Sequence, residues 1–249
     1  MKILVCISEV PDTTTKIRFT DGNKALDTAG IQWIINPWDE LALTRALEIK
    51  EASGGAVEAV TVATVGAAQA EPTIRKALAV GADNAIRVDA PATDAWYVAV
   101  QLAEVVKSGG FEIVMTGRDS ADYNGASVGG MLAALLDYNT LSSVSSMALD
   151  GGKIIAGREI DGGTETLEAE LPFLAVVQKG IAIEPRIPAM RGIMMARTKP
   201  LQVVPPVDTG CLTENVEFEL PKSRGACRKF AADEVKALVD VLHNEAKLI

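Results

Sequence analysis

An open parallel α/β sheet with helices on both faces, extended by an antiparallel β-hairpin and a long C-terminal arm that ends in a helix, is the fold this sequence predicts. Three observations carry it. Short apolar runs alternate with amphipathic helical stretches up to residue 137, the spacing then changes to the period-two alternation of half-solvated strands, and prolines crowd the segment after Gly180. A chain of 249 residues, 48% of them hydrophobic, has material for one main domain with appendages.

Residues 2–7, 57–62, 85–88 and 112–116 are apolar runs bounded by Gly, Pro or Asp and short enough for buried strands. Residues 37–53 place a proline at the first helical position and Ala42, Ala46 and Ile49 on one face, and Gly54-Gly55 stops the helix. Residues 71–80 repeat the design with Gly81 as the stop. Residues 94–107 do so again, with Asp94 as cap and Gly109-Gly110 as terminator. Residues 142–155 and 158–170 read as antiparallel strands around Asp150-Gly151-Gly152 and Asp161-Gly162-Gly163, since Leu167, Ala169 and Leu171 alternate with Glu168 and Glu170. Residues 174–177 supply one more apolar strand. Beyond Gly180 the prolines at 185, 188, 200, 205, 206 and 221 predict an extended arm, closed by an amphipathic helix from about Asp233 that carries Val235, Leu238, Val239, Leu242 and Ala246. Such an arm either folds back on its own domain or embraces a partner subunit.

Composition excludes several function classes. Twenty-four Lys and Arg against 33 Asp and Glu give a net charge of -9, which disfavours a grip on nucleic acid phosphates. Cys6, Cys211 and Cys227 are too few and scattered for a disulfide framework or zinc knuckle, so a reducing compartment, the cytoplasm, is expected. The single histidine, His243, excludes mechanisms that need a histidine pair. Residues 1–10 read as a first strand rather than a signal peptide, and no apolar stretch suffices to span a bilayer, so the chain is not expected to be membrane-embedded.

One segment carries the pattern of a nucleotide loop. Thr116-Gly117-Arg118-Asp119-Ser120-Ala121-Asp122-Tyr123-Asn124-Gly125-Ala126-Ser127-Val128-Gly129 follows a buried strand and runs into a helix. In an open parallel sheet the carboxyl ends of the strands form the ligand crevice, and a helix opening there offers unpaired backbone N–H groups to an anion. Gly125 allows close backbone approach and Ser127 adds a hydroxyl. A plain polar loop capped by Asn124 is the alternative on pattern alone. Neither the Walker triplet nor the dinucleotide glycine spacing is present, so whatever binds is held rather than hydrolysed. Asn36-Pro37-Trp38-Asp39 forms a second element: Asn36 suits either a helix cap or a hydrogen bond to an adenine or ribose edge, and Trp38 suits packing on a base.

Several blocks, in order, resemble the electron-transfer flavoprotein beta family. They are Lys2-Ile3-Leu4-Val5-Cys6-Ile7 followed by Val10-Pro11-Asp12, the Asn36-Pro37 helix start, residues 73–83, Gly117-Arg118 with Asp122 and Gly129, Arg158-Glu159-Ile160-Asp161-Gly162-Gly163, and Glu184-Pro185-Arg186 leading to Met194-Met195-Ala196-Arg197. The resemblance implies a Rossmann-like, adenine nucleotide alpha-hydrolase-like domain over residues 1–200 and an arm over residues 201–249 that embraces an alpha subunit. It implies a heterodimer whose alpha subunit holds most of the FAD while this chain buries a structural AMP and has no catalytic activity of its own. The implied AMP contacts are Cys6, Asn36, Pro37, Trp38, Asp39, Val65 and residues 117–128. Residues 184–199 resemble the family's recognition loop for acyl-CoA and related dehydrogenases, with Met190 at the anchor position and Arg186, Arg191 and Met194 beside it; electrons then pass toward a membrane quinone oxidoreductase. The chain departs from the family at Thr13, where some members place an aromatic near the flavin, and at residues 123–127, where many relatives carry a Thr/Gln-containing acidic run. Flavin-bifurcating members bind a second FAD in place of AMP. A stand-alone adenine-nucleotide sensor and an ATP-using activating enzyme are readings of other classes.

Overall fold

The structure, a computed structural model, describes residues 1–249. In chain order β1 (Lys2–Cys6), β2 (Glu9–Pro11), β3 (Phe19–Thr20), β4 (Ala25–Leu26) and β5 (Trp33–Ile35) precede α1 (Pro37–Ala52). There follow β6 (Ala59–Val65), α2 (Glu71–Val80), β7 (Asn84–Val88), α3 (Ala95–Gly109), β8 (Ile113–Gly117), α4 (Val128–Leu136), β9 (Asn139–Asp150), β10 (Lys153–Ile160), β11 (Gly163–Ala169) and β12 (Phe173–Val177). The chain closes with α5 (Met190–Ala196), β13 (Leu201–Val204) and α6 (Val235–Asp240).

One nine-stranded sheet runs in the order β11-β10-β9-β12-β8-β1-β6-β7-β13. From β9 to β13 in the sheet order every pairing is parallel, and only the two pairings of β10, with β9 and with β11, are antiparallel. Both faces are covered, as the continuous apolar character of the central strands requires. Along β1, Ile3 and Val5 enter the larger core under α1 and α2, whereas Leu4 and Cys6 enter the smaller one under α3 and α4. All four are buried.

The structure corrects the sequence reading in three places. Residues 153–160 form one strand, irregular at Gly157 and Arg158, so the antiparallel segment is a three-stranded meander joined to the sheet through β9 and β12. Residues 9–35 hold two small hairpin pairings, β2 with β5 and β3 with β4, made of strands too short to show a period. The sheet continues past residue 200, because Leu201–Val204, set off by Pro200 and Pro205, pairs with β7 as an edge strand. The apolar stripe of the last helix is not packed on this chain: α6 buries no residue, and Val235 and Val239 stand exposed.

The arm nevertheless starts out fastened. Gln101, buried on α3, exchanges hydrogen bonds with Val207, its amide donating to the carbonyl at 2.9 Å and its oxygen accepting from the N–H at 2.8 Å. Asp94 caps α3 by accepting from Tyr97 N–H at 2.7 Å, and its other oxygen accepts from Leu212 and Thr213 N–H at 2.7 and 2.9 Å. Phe218 stacks on Phe19 with centroids 5.3 Å apart. Partial burial opposes the ionised form of Asp94, but the bonds from Tyr97, Thr213 and Leu212 prevail and hold its carboxyl below the usual range. Its contribution is therefore present above the ordinary carboxylate pKa and is lost as the pH falls through the lowered one. Asp94→Ala is expected to cost about 1–2 kcal/mol, the usual value of a lost cap; urea unfolding at neutral pH measures it, with the deficit shrinking in acid.

Candidate functional site at the strand ends

The chain leaves β1 toward β6 and β7, then returns through α3 to place β8 on the other side of β1. This reversal makes a crevice at the carboxyl ends of β1 and β8, the place where open α/β sheets bind ligands. Cys6 ends β1, Val65 ends β6 and Gly117 ends β8, so three of the expected contact positions converge there from distant parts of the chain.

The start of α1 braces that crevice. Asp39 is only 3% exposed and reaches across it, one carboxylate oxygen accepting from Ser8 N–H at 2.7 Å and the other from Gly117 N–H at 2.9 Å. Asn36, equally buried, uses both ends of its amide on the loop: its nitrogen donates to the Asp119 carbonyl at 2.9 Å and its oxygen accepts from Ala121 N–H at 3.0 Å. The indole N–H of Trp38 donates to Asp119 at 2.9 Å, and the Arg118 guanidinium lies 5.3 Å from the Trp38 ring centroid while pairing with Asp119 at 2.9 Å. Asn36 therefore does not cap α1 with its side chain. The backbone of the loop after β8 already takes both of its polar atoms. Gly117 is required by close approach, since a Cβ there would stand 2.3 Å from Asp39 Oδ1 and 2.7 Å from Trp38 Cβ.

Beyond this brace the loop turns outward. Residues 121–126 are all exposed, and Asn124 and Ala126 adopt left-handed backbone at φ 49. The helix cap is Ser127 rather than Asn124, and it makes no side-chain capping bond. The first helical hydrogen bond of α4 runs from Met131 N–H to Ser127 O at 3.0 Å, which leaves the N–H groups of Val128, Gly129 and Gly130, just past the end of β8, without a helical acceptor. Thr116, the first residue of the nucleotide-loop segment, was given no role of its own from the sequence. Its buried hydroxyl lies beneath the first turn of α4 and has no hydrogen-bond partner. Unpaired helix-start amides with the free Ser127 hydroxyl fit an anionic phosphate.

Two side chains here have displaced acidities. Burial pushes the Asp39 carboxyl up to about 7 against the opposing hydrogen bonds from Ser8, Asn36 and Gly117. Burial, and next the charge of Asp39, push the Cys6 thiol far up, so it is inert and its expected contact is left to its backbone.

The second candidate surface lies around α5. Met190 and Met194 are 75% and 70% exposed, with Ile187 beside them at 90%. Arg191 faces solvent, whereas Arg186 is tied within the chain, its guanidinium donating to both Glu51 oxygens at 2.7 and 2.6 Å. Arg75 donates to the carbonyls of Ala196 and Lys199 at the end of α5, and Lys199 donates back to those of Leu78 and Ala82 at the end of α2. A groove of about 460 Å³ between α2 and α5 is lined by Val80, Gly81, Ile187, Arg191 and Met195 among others. No helix of the chain is long and apolar enough to cross a membrane.

The model of the electron transfer flavoprotein domain matches residues 24–209. The chain is 36% identical over 228 residues to the electron transfer flavoprotein subunit beta of Syntrophomonas wolfei, covering 91% of this chain and 88% of that one. It is 32% identical to the subunit of that name from Bacillus subtilis and 33% identical to the mitochondrial one of Oryza sativa subsp. indica, each match covering 100% of both chains. With most of the chain inside the domain match and full-length relatives above 30% identity, it belongs to the electron transfer flavoprotein beta-subunit family.

Proposed function

We propose that this chain is the AMP-holding half of a heterodimeric electron carrier in the cytoplasm. The observation that carries the reading is the crevice between β1 and β8, where the unpaired first amides of α4 meet a loop braced from beneath by Asn36, Trp38 and Asp39. The phosphate lies on the N–H groups of Val128 to Gly130 and the Ser127 hydroxyl, and the exposed run from Ala121 to Ala126 closes over the nucleoside. Cys6 and Val65 contribute backbone at the neighbouring strand ends. The nucleotide is structural: the loop has no lysine, its arginine is paired with Asp119, and nothing beside it is arranged for phosphoryl transfer.

FAD sits mainly on the alpha subunit and supplies the one- and two-electron chemistry; this chain contributes surface and orientation around it and no catalysis. Acyl-CoA and related dehydrogenases dock on residues 184–199, where Met190 offers an unbranched, polarizable side chain that adapts to several pockets. The electrons leave toward a quinone oxidoreductase at the membrane. The apolar stripe of α6, uncovered in the single chain, lies on the alpha subunit.

Co-expression with the alpha subunit tests the assignment: a flavin-containing heterodimer on size exclusion supports it, and a colourless monomer defeats it. Met190→Ala is expected to lower dehydrogenase-coupled dye reduction by about tenfold or more, the ordinary cost of an anchor residue of about 2 kcal/mol, with flavin content unchanged.

A further inference from the structure

Asp39 is the one deeply buried acid of the chain, and it forms no ion pair. Its two oxygens join backbone that belongs to different strands, Ser8 after β1 and Gly117 at the end of β8. Asn36 and Trp38, at the start of α1, fix the same loop two and four residues further on, at Asp119 and Ala121. Each oxygen of the Asp39 carboxylate thus accepts a backbone N–H from a different strand end.

Resting on the AMP reading of the crevice, we propose that the Asp39 side chain is a positioning group: it clasps the ends of β1 and β8 and so sets how long the loop retains its nucleotide. Both clasp bonds need an acceptor. An ionised carboxylate provides two; a protonated one keeps one oxygen as a good acceptor and turns the other's hydroxyl toward an N–H donor. The groups facing it carry no charge that substitutes for it: the Cys6 thiol on β1 is neutral, Ser8 and Asn36 offer neutral hydrogen-bond donors, Arg118 is paired with Asp119 on the loop, and Glu40 on its own helix is paired outward with Lys76.

Because burial raises the Asp39 carboxyl to about 7, the clasp changes state near neutrality. Two opposite slopes follow. The folded-state pKa lies above the unfolded one, so the stabilising contribution of the group is complete below the ordinary carboxylate range and is lost as the pH rises through about 7. Retention of nucleotide runs the other way, weakening as the pH falls through the same range. A side chain that only filled space would give the first slope without the second.

The test measures AMP dissociation from the intact heterodimer between about pH 8 and about pH 6, for the wild type and Asp39→Asn. The wild type is expected to release AMP about tenfold faster at the acid end. Asp39→Asn is expected to release it about tenfold faster than wild type at the alkaline end and to lose this part of the pH dependence, since one charge-assisted bond is missing throughout. Titration of the AMP phosphate itself is common to both proteins. Equal rates and equal profiles overturn the proposal; a wild type that holds no AMP overturns the nucleotide reading instead. In that event, or if the variant fails to assemble, amide exchange in the wild type decides. Ser8 and Gly117 are expected to lose about tenfold protection below neutrality relative to Leu4 and Met115, and unchanged protection sinks the clasp.

Discussion

Gly117→Ala is expected to empty the nucleotide loop and destabilise the domain together. The new methyl group would stand 2.3 Å from Asp39 Oδ1, 2.7 Å from Trp38 Cβ and 3.2 Å from Asn36 Nδ2. None of the three yields easily, because Asp39 is held by Ser8, Trp38 by Asp119 and Asn36 by Ala121. Overpacking of this kind costs about 1–3 kcal/mol. Displacing Asp39 also strips a charge-assisted bond from a buried acid, about 1.5–3 kcal/mol more. In a domain of this size each kcal/mol lowers the melting temperature by about 2–4 °C, so scanning calorimetry should show a drop of roughly 5–20 °C with AMP absent from the purified heterodimer. A variant with normal melting and full AMP content would show that the brace is not needed.

Gly192→Ala should separate docking from nucleotide binding. Gly192 is in the middle of α5, and a Cβ there would lie 2.4 Å from the Ala79 carbonyl oxygen of α2. A carbonyl within a helix cannot swing aside as a side chain does, so α5 must lift. It is tied at its far end by Arg75 to Ala196 and Lys199, at 3.0 and 2.8 Å, and by Lys199 to the end of α2. The helix therefore tilts about that end, carrying Met190 and Met194 away from the position they present to a partner. A strain of about 1–3 kcal/mol placed on the docking geometry corresponds to about a 5- to 150-fold loss of dehydrogenase coupling. AMP and FAD content should be unchanged, because α5 packs on α2 whereas the loop after β8 is braced by the start of α1. Coupling equal to wild type would remove α5 from the docking surface.

How much of this was legible in the sequence depended on the range of the interactions. Helix α2 was expected at residues 71–80 and is found at Glu71–Val80, and α1 and α3 lie within two residues of their expected ends, because Pro37, Asp94, Gly81 and Gly110 act locally. Strand β13 was illegible for the same reason: Pro200, Pro205 and Pro206 read as local breakers, whereas the strand exists by pairing with β7 more than 100 residues earlier. The two-residue strands β3 and β4 have no period to detect. In the site, the loop after β8 was visible because it follows a strand and opens a helix. The working contacts of Asn36 and Asp39 were not, since they bridge separations of 78 to 85 residues on the β8 side, and nothing local distinguishes a helix-start amide that caps from one that braces a distant loop. The orphaned hydroxyl of Thr116 likewise depends on Gly129 packing over it.

The central claim, that the crevice between β1 and β8 holds a structural AMP while the redox flavin lies with the partner, is tested most directly by the nucleotides themselves. The purified heterodimer is denatured and the released nucleotides are separated by chromatography. Equimolar FAD and AMP is the result predicted. Two equivalents of FAD without AMP would contradict it and assign the crevice to a second flavin, as in a bifurcating carrier.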